Sequence, residues 1–109
     1  MKGWAEVHDC FTISEIMAYE DLAFASPGKG KELVKSRETY KEGSIPVNVD
    51  GGLLSKGHTI GATGGSQIRT IVLQLRGEAG QMQVKEPEIG LVHNIGGVGL
   101  YGAVTILRR

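Results

Sequence analysis

One histidine of this chain lies in a glycine-rich segment just before an apolar stretch with helical spacing. The segment reads Lys-Gly-His-Thr-Ile-Gly-Ala-Thr-Gly and places the imidazole at His58. A helix start offers unpaired backbone N–H groups and a partial positive charge, and glycine lets a ligand approach the backbone closely. An imidazole there can accept a proton near neutral pH or donate a hydrogen bond to a developing oxyanion. Alone the pattern is a weak indication, because glycine-rich turns commonly enter helices.

Two further polar segments could join His58 in a site. His-Asp-Cys-Phe at 8–11 follows a predicted strand, and His-Asn-Ile-Gly at 93–96 ends a later strand at a glycine-rich turn. Loops of this kind gather ligand-binding residues in α/β proteins. Each residue also has a structural interpretation. Cys10 could be a small buried hydrophobic residue, Asp9 a helix N-cap or nearby acceptor, and the two histidines could be core residues with satisfied hydrogen bonds.

The residues alone are also compatible with two other kinds of site, a zinc site and a nucleophilic cysteine. The three histidines and the single cysteine could supply four zinc ligands, but the sequence has neither the CxxC nor the HExxH spacing of zinc sites. Alternatively, Cys10 at a helix start could be a nucleophile, with His58 or His93 as its base. We expect no metal site.

Composition limits the partners and the compartment. The chain has 109 residues, and its 12 Lys plus Arg balance its 12 Asp plus Glu. This length fits one domain at most, and the charge balance argues against a nucleic acid held by bulk charge. Cys10 is the only cysteine, so an internal disulfide framework is excluded. No apolar run is long enough to cross a bilayer, and the N-terminus lacks the layout of a signal peptide. We therefore expect a cytoplasmic protein that binds neither membrane nor nucleic acid.

Hydrophobic spacing predicts an α/β fold with helices packed on a mixed sheet. The predicted elements are a strand at 4–8, a helix at 12–24, a short helix plus loop at 30–40, an irregular loop at 43–56, a helix at 62–76 and a hairpin of strands at 89–94 and 99–107. Thr12 and Glu15 have the spacing of a capping box. Apolar residues from Ile68 to Leu75 recur on one helical face. The long loop is a candidate functional segment, because such loops are uncommon inside compact domains.

The polar segments also carry a family resemblance. From Ala5 to Leu107 the sequence resembles the C-terminal part of a thiolase of the sterol-carrier-protein-type and archaeal branch. Residues 5–11 resemble the HDCF motif of that branch, and residues 48–64 resemble the thiolase signature around Gly-His-Pro. Residues 75–79 and 93–96 match the branch as well. The resemblance implies a thiolase-like C-terminal half-fold, an α/β arrangement that ends in a β-hairpin.

The resemblance implies roles for individual residues. His58 matches the histidine that deprotonates the nucleophilic cysteine and lines the first oxyanion hole. His8 matches a residue that positions groups at that hole, and Cys10 matches the cysteine that serves as acid and base in this branch. Asn94 begins the stretch where other thiolases carry a C-x-G motif, and Gly96 would offer its N–H to a second oxyanion hole. The implied reaction is a Claisen condensation of two acyl-CoA molecules or its thiolytic reverse, with the coenzyme A thioester as substrate and no cofactor.

Two departures from the family pattern bear on activity. Thr59 stands where the family usually has proline, which would fix φ and stiffen the loop. The nucleophilic cysteine of a thiolase lies in its N-terminal half, which has no counterpart in these 109 residues, and Cys10 already matches another role. We therefore expect residues 1–109 to form a partial thiolase C-terminal domain, without the nucleophile half or the first strands, that is inactive alone.

Three functions remain open. The first is the C-terminal part of an acetyl-CoA acetyltransferase that acts on acyl-CoA and CoA once a separate N-terminal thiolase half completes it. The second is a subunit of a thiolase-like retro-aldolase that acts on CoA thioesters with a partner. The third is a non-catalytic assembly module. An unpaired sheet edge and an uncovered helix face also predict a homo-oligomer or a partner at that face.

Overall fold

The fold is organised around a three-stranded sheet of order β1-β2-β3. A computed structural model describes residues 3–109. Its elements are β1 (Gly3–Glu6), α1 (Thr12–Asp21), α2 (Gly30–Lys35), α3 (Gly52–Lys56), α4 (Thr63–Arg76), β2 (Ile89–Gly96) and β3 (Tyr101–Arg108), with 3-10 turns at Gly80–Met82 and Gly97–Gly99. β1 is parallel to β2, and β2 is antiparallel to β3. The predicted α/β fold with a mixed sheet and a final hairpin is confirmed.

The two faces of the sheet carry separate hydrophobic clusters. Trp4 packs in a cluster with Ile71 of α4, whereas the next residue, Ala5, packs in a cluster with Tyr19 of α1. This division follows from the alternation of side chains along a strand. A Cβ on Gly90 of β2 would lie 2.4 Å from a methyl carbon of Ile71, so the glycine permits the close packing of α4 on the sheet.

The buried face of α4 is more polar than its apolar spacing predicts. Ile71 and Leu75 are buried as expected, but Ile68 is 40% exposed. Gln67 and Gln74 are fully buried on the same helix. The Gln74 amide donates to Met82 O at 2.7 Å and accepts from Val84 N at 2.8 Å, so its burial leaves no unpaired amide group.

The start and end of α1 differ from the prediction. The helix ends at Asp21 rather than at residue 24, and its N-cap is Phe11, which has no side-chain oxygen. The predicted capping box is therefore wrong. Glu15 Oε1 instead accepts a hydrogen bond from the Tyr19 hydroxyl at 2.7 Å. Within residues 3–109, no helix is long and apolar enough to span a membrane.

The segment predicted to be an irregular loop contains the short helix α3. Gly51 and Gly52 enter it with φ values of 99° and 61°. A Cβ on Gly52 would lie 2.2 Å from an Asp9 carboxylate oxygen, so glycine is needed where α3 meets the segment after β1. β1 is shorter than predicted and ends at Glu6, which leaves His8 beyond the strand.

Candidate active site

Three chain segments, at 8–17, 58–64 and 94–99, meet in one pocket of about 760 Å³ at the carboxyl ends of β1 and β2. All five predicted site residues line it: His8, Cys10, His58, Asn94 and Gly96. Ser14 and Thr63 add hydroxyl groups, and apolar side chains include Phe11, Met17, Ile60, Ile95 and Val98. The carboxyl edge of parallel strands is the usual binding edge of an open α/β sheet.

His8 and His58 are in direct contact in this pocket. Their ring centroids lie 5.0 Å apart, and their planes make an angle of 88°. His8 is 5% exposed, and its Nδ1 has no hydrogen-bond partner among residues 3–109. Burial lowers the pKa of His8 below its ordinary value, and the neighbouring His58 lowers it further. His8 is therefore neutral at pH 7.

A hydrogen bond to Thr63 fixes the orientation of His58. His58 Nδ1 lies 2.7 Å from Thr63 Oγ1, and that hydroxyl donates to Thr59 O at 3.2 Å. Because the hydroxyl proton is directed at the carbonyl, Thr63 Oγ1 accepts from Nδ1–H of the imidazole. This assigns the lone pair of His58 to Nε2, where it can take a proton. Thr63 is a site residue that sequence reasoning missed.

Cys10 provides a thiol in the same pocket. Its side chain is partly buried, and Sγ lies 3.7 Å from Ser14 Oγ. A hydroxyl at this position can donate to a thiolate. The thiol and the imidazole of His58 thus face one space, although they come from different segments.

Asn94 is held by a second residue that sequence reasoning missed. Asn94 Nδ2 donates to Gln67 Oε1 at 2.9 Å, and Gln67 Nε2 donates to His93 O at 3.3 Å. A Cβ on Gly64 would lie 3.0 Å from Asn94 Nδ2, so α4 approaches the strand closely here. The position of Gln67, four residues before Ile71, indicates that it lies on the buried face of α4, but not that it contacts Asn94.

His93 and Asp9 lie outside the pocket lining. Successive strand residues face opposite sides of a sheet, so the side chain of His93 is on the other face from Asn94. Burial lowers the pKa of His93. Asp9 is a structural acceptor, as expected, but it serves α3 rather than α1, because its Oδ1 accepts from Leu53 N at 2.7 Å.

The zinc alternative has no ligand set in the described part of the chain. Among residues 3–109, no group of three or more His, Cys, Asp or Glu side chains could hold a metal ion. His93 also lies outside the lining of the pocket that contains His8, Cys10 and His58.

Comparisons with known proteins match the whole described chain. Residues 3–109 match the family described as "Thiolase C-terminal domain-like". An acetyl-CoA acetyltransferase from Methanothermobacter thermautotrophicus is 52% identical over 104 residues, which is 95% of this chain and 27% of that protein. Sterol carrier protein 2 from Oryctolagus cuniculus is 44% identical over 101 residues, which is 93% of this chain and 18% of that protein.

A solved structure described as "Ltp2-ChsH2(DUF35) aldolase" shares the fold. It superposes with a TM-score of 0.80 at 26% identity, over 94% of this chain and 26% of that one. The chain thus spans only about a quarter of this protein and of the acetyltransferase, and less of sterol carrier protein 2. Since the family match extends over residues 3–109, the chain belongs to the thiolase C-terminal domain-like family.

Proposed function

We propose that this chain supplies the proton-transferring part of an acyl-CoA acyltransferase site of the thiolase type. The observation that carries the proposal is that His8, Cys10 and His58 line one pocket. The similarity to an acetyl-CoA acetyltransferase supports it. The reaction is the Claisen condensation of two acyl-CoA molecules or its thiolytic reverse, and coenzyme A thioesters are the substrates.

His58 acts as base and then as hydrogen-bond donor. With Nδ1–H directed at Thr63, Nε2 takes the proton of a nucleophilic thiol that another half of the enzyme provides. Once protonated, the same nitrogen donates to the oxyanion that forms on the thioester carbonyl. His8 packs against this ring and limits its movement.

Cys10 transfers the proton at the α-carbon. In condensation its thiolate removes an α-proton from an acyl-CoA, and the enolate oxygen that forms needs a hydrogen-bond donor. In thiolysis the thiol returns the proton to the α-carbon after the carbon–carbon bond breaks. Ser14 stabilises the thiolate through its hydroxyl.

A cysteine-bearing half completes the site. Cys10 is the only cysteine and serves at the α-carbon, so the attacking sulfur comes from another polypeptide segment. The chain alone is therefore inactive. Val104 and Ile106 of the edge strand β3 are 52% and 64% exposed, and such an apolar face suits a partner half or a second copy.

A chimera tests this function. In the acetyl-CoA acetyltransferase from Methanothermobacter thermautotrophicus, the segment that this chain matches is replaced by residues 3–109. The expected result is thiolysis of acetoacetyl-CoA by the chimera and none by the isolated chain. A folded chimera without activity, or robust turnover by the isolated chain, would contradict the proposal.

A retro-aldolase is the second candidate, because the structural neighbour is described as an aldolase. In that reaction a β-hydroxyacyl-CoA breaks between its α and β carbons, an aldehyde or ketone leaves, and an acid protonates the α-carbon. Cys10 fits the acid in both reactions. Release of a carbonyl compound without consumption of CoA would favour the aldolase over the acyltransferase.

A further inference from the structure

Three ionisable side chains meet beside α3, outside the pocket lining. Lys56, the last residue of α3, forms an ion pair with Asp50, and its Nζ also lies 3.9 Å from Glu6 Oε2. The side chains of Glu6, Asp50 and Lys56 are 1%, 5% and 20% exposed. Removing charges from water is costly, so a buried ion pair needs further hydrogen bonds to offset that cost.

Asp50 supplies those hydrogen bonds and joins both ends of α3 to α4. Its Oδ1 accepts from Gly52 N at 3.0 Å, and its Oδ2 accepts from Lys56 Nζ and, at 2.8 Å, from Thr70 Oγ1. Burial opposes ionisation of Asp50, but the hydrogen bonds from Lys56, Thr70 and Gly52 outweigh it and lower its pKa. One carboxylate thus fixes the first turn and the last residue of the short helix.

Glu6 encloses the ion pair from the strand side. Burial and the neighbouring charge of Asp50 raise the pKa of Glu6 to about 9. Glu6 is therefore protonated at neutral pH, and Lys56 balances Asp50 alone. Because Glu6 lies two residues before His8, the cluster is fixed to the segment that carries the first imidazole of the site.

The other end of the cluster is next to the second imidazole. Only Gly57, with φ 108°, separates Lys56 from His58. An isolated helix as short as α3, with 5 residues, is not stable in water, so tertiary contacts must hold it. Its first turn is held by Asp9 and Asp50, and its last residue is held through the side chain of Lys56.

We propose that Lys56 is a positioning residue for His58. Its ion pair with Asp50 holds the end of α3 so that the His58 ring meets His8 edge to face. The importance of this geometry for catalysis rests on the proposed function, but the geometry itself can be measured without turnover.

NMR on the full chain tests the proposal. Lys56→Met removes the charge and keeps most of the aliphatic stem. The nuclear Overhauser contact between the rings of His8 and His58 is expected to disappear. Amide exchange at Gly57, whose N–H donates to Leu53 O, is expected to accelerate at least about tenfold. Lys56→Arg is expected to retain both signals, because it keeps the positive charge.

Lys31→Met is the matched control, since Lys31 is an exposed lysine of α2. Asp50→Asn is a second variant that keeps the side-chain shape, and it is expected to give the same local loss as Lys56→Met. An unchanged ring contact in both variants would overturn the proposal. If amide exchange accelerated as much throughout β2 as at the end of α3, Lys56 would contribute to the stability of the whole fold. That result would also overturn the proposal. If the chimera is inactive but the wild-type chain shows the ring contact and Lys56→Met loses it, the proposed function is contradicted. The positioning role of Lys56 is then still supported.

Discussion

The rings of His8 and His58 lie 5.0 Å apart, edge to face, although three helices, α1 to α3, separate the two residues in the sequence. His8 follows β1, and His58 follows α3. Burial and the proximity of His58 keep His8 neutral at pH 7. The pair therefore presents one buried neutral ring that supports a second ring whose Nε2 is available for proton transfer.

The hydrogen bond from His58 to Thr63 predicts a single tautomer. Thr63→Val is close in shape, but it removes the acceptor for Nδ1–H. Nitrogen-15 spectra of the imidazole should change from one tautomer to a mixture, and turnover of the chimera should fall about tenfold, as expected for the loss of one hydrogen bond to the base. Thr105→Val on exposed β3 is the control. Identical imidazole spectra in Thr63→Val and the wild type would contradict the assignment.

The position of Cys10 predicts a selective loss of α-proton transfer. In the chimera, Cys10→Ala should slow the exchange of acetyl-CoA α-protons with deuterated water by about 10²–10⁴-fold, the usual contribution of a general base. Transfer of the acetyl group to the chimera's nucleophilic cysteine should continue, because that step does not use Cys10. Mass spectrometry measures both quantities. Normal exchange in Cys10→Ala would assign the α-proton to another group.

The raised pKa of Glu6 predicts a stability that falls with rising pH. The folded chain keeps the Glu6 proton up to about pH 9, whereas the unfolded chain releases it near the ordinary value of 4.5. Between these values the folded state binds more protons, so the free energy of unfolding decreases by up to about 1.4 kcal/mol per pH unit from this group. Asp50, Lys56 and Asp9 are the charged groups that act on it.

Glu6→Gln should remove this slope in urea unfolding measured across the window. Glu42→Gln, at an exposed position, is the control and should leave the slope unchanged. Equal slopes in Glu6→Gln and the wild type would mean that Glu6 is ionised in the folded chain.

The exposed face of β3 predicts association. β3 is an edge strand, and Ile106 on it is 64% exposed. Sedimentation velocity of the isolated chain should show self-association that increases with concentration, and Ile106→Lys should reduce it. Leu54→Lys, at an exposed apolar residue of α3, serves as control. A monomer at every concentration would contradict the prediction.

Local sequence patterns correctly predicted the helix and the hairpin that have a clear hydrophobic spacing or a clear turn of their own. α4 and the β2–β3 hairpin lie within a few residues of their predicted positions, because a one-sided apolar face and a glycine-rich turn specify them. α3 was missed because its residues have no such periodicity. The helix is held by the carboxylates of Asp9, which is distant in the sequence, and of Asp50, which lies just before the helix.

The site was predicted in outline, and its supporting contacts were not. The family resemblance singled out His8, Cys10 and His58, and the structure gathers them in one pocket. Their catalytic roles stay predictions. Sequence spacing could not indicate that buried Gln67 holds Asn94 or that Thr63 orients His58, because both contacts depend on how closely α4 approaches β2 and the turn before it.

The most direct test of the account is the thiolysis rate of the chimera with His58→Ala. His58 is exposed and lies outside the hydrophobic clusters, so the variant should fold as the wild type does. The rate should fall by about 10²–10⁴-fold, since the variant loses both the base and the oxyanion donor. The same assay on His93→Gln, whose side chain is outside the pocket lining, should give nearly the wild-type rate. A His58→Ala chimera that keeps the wild-type rate would contradict the account.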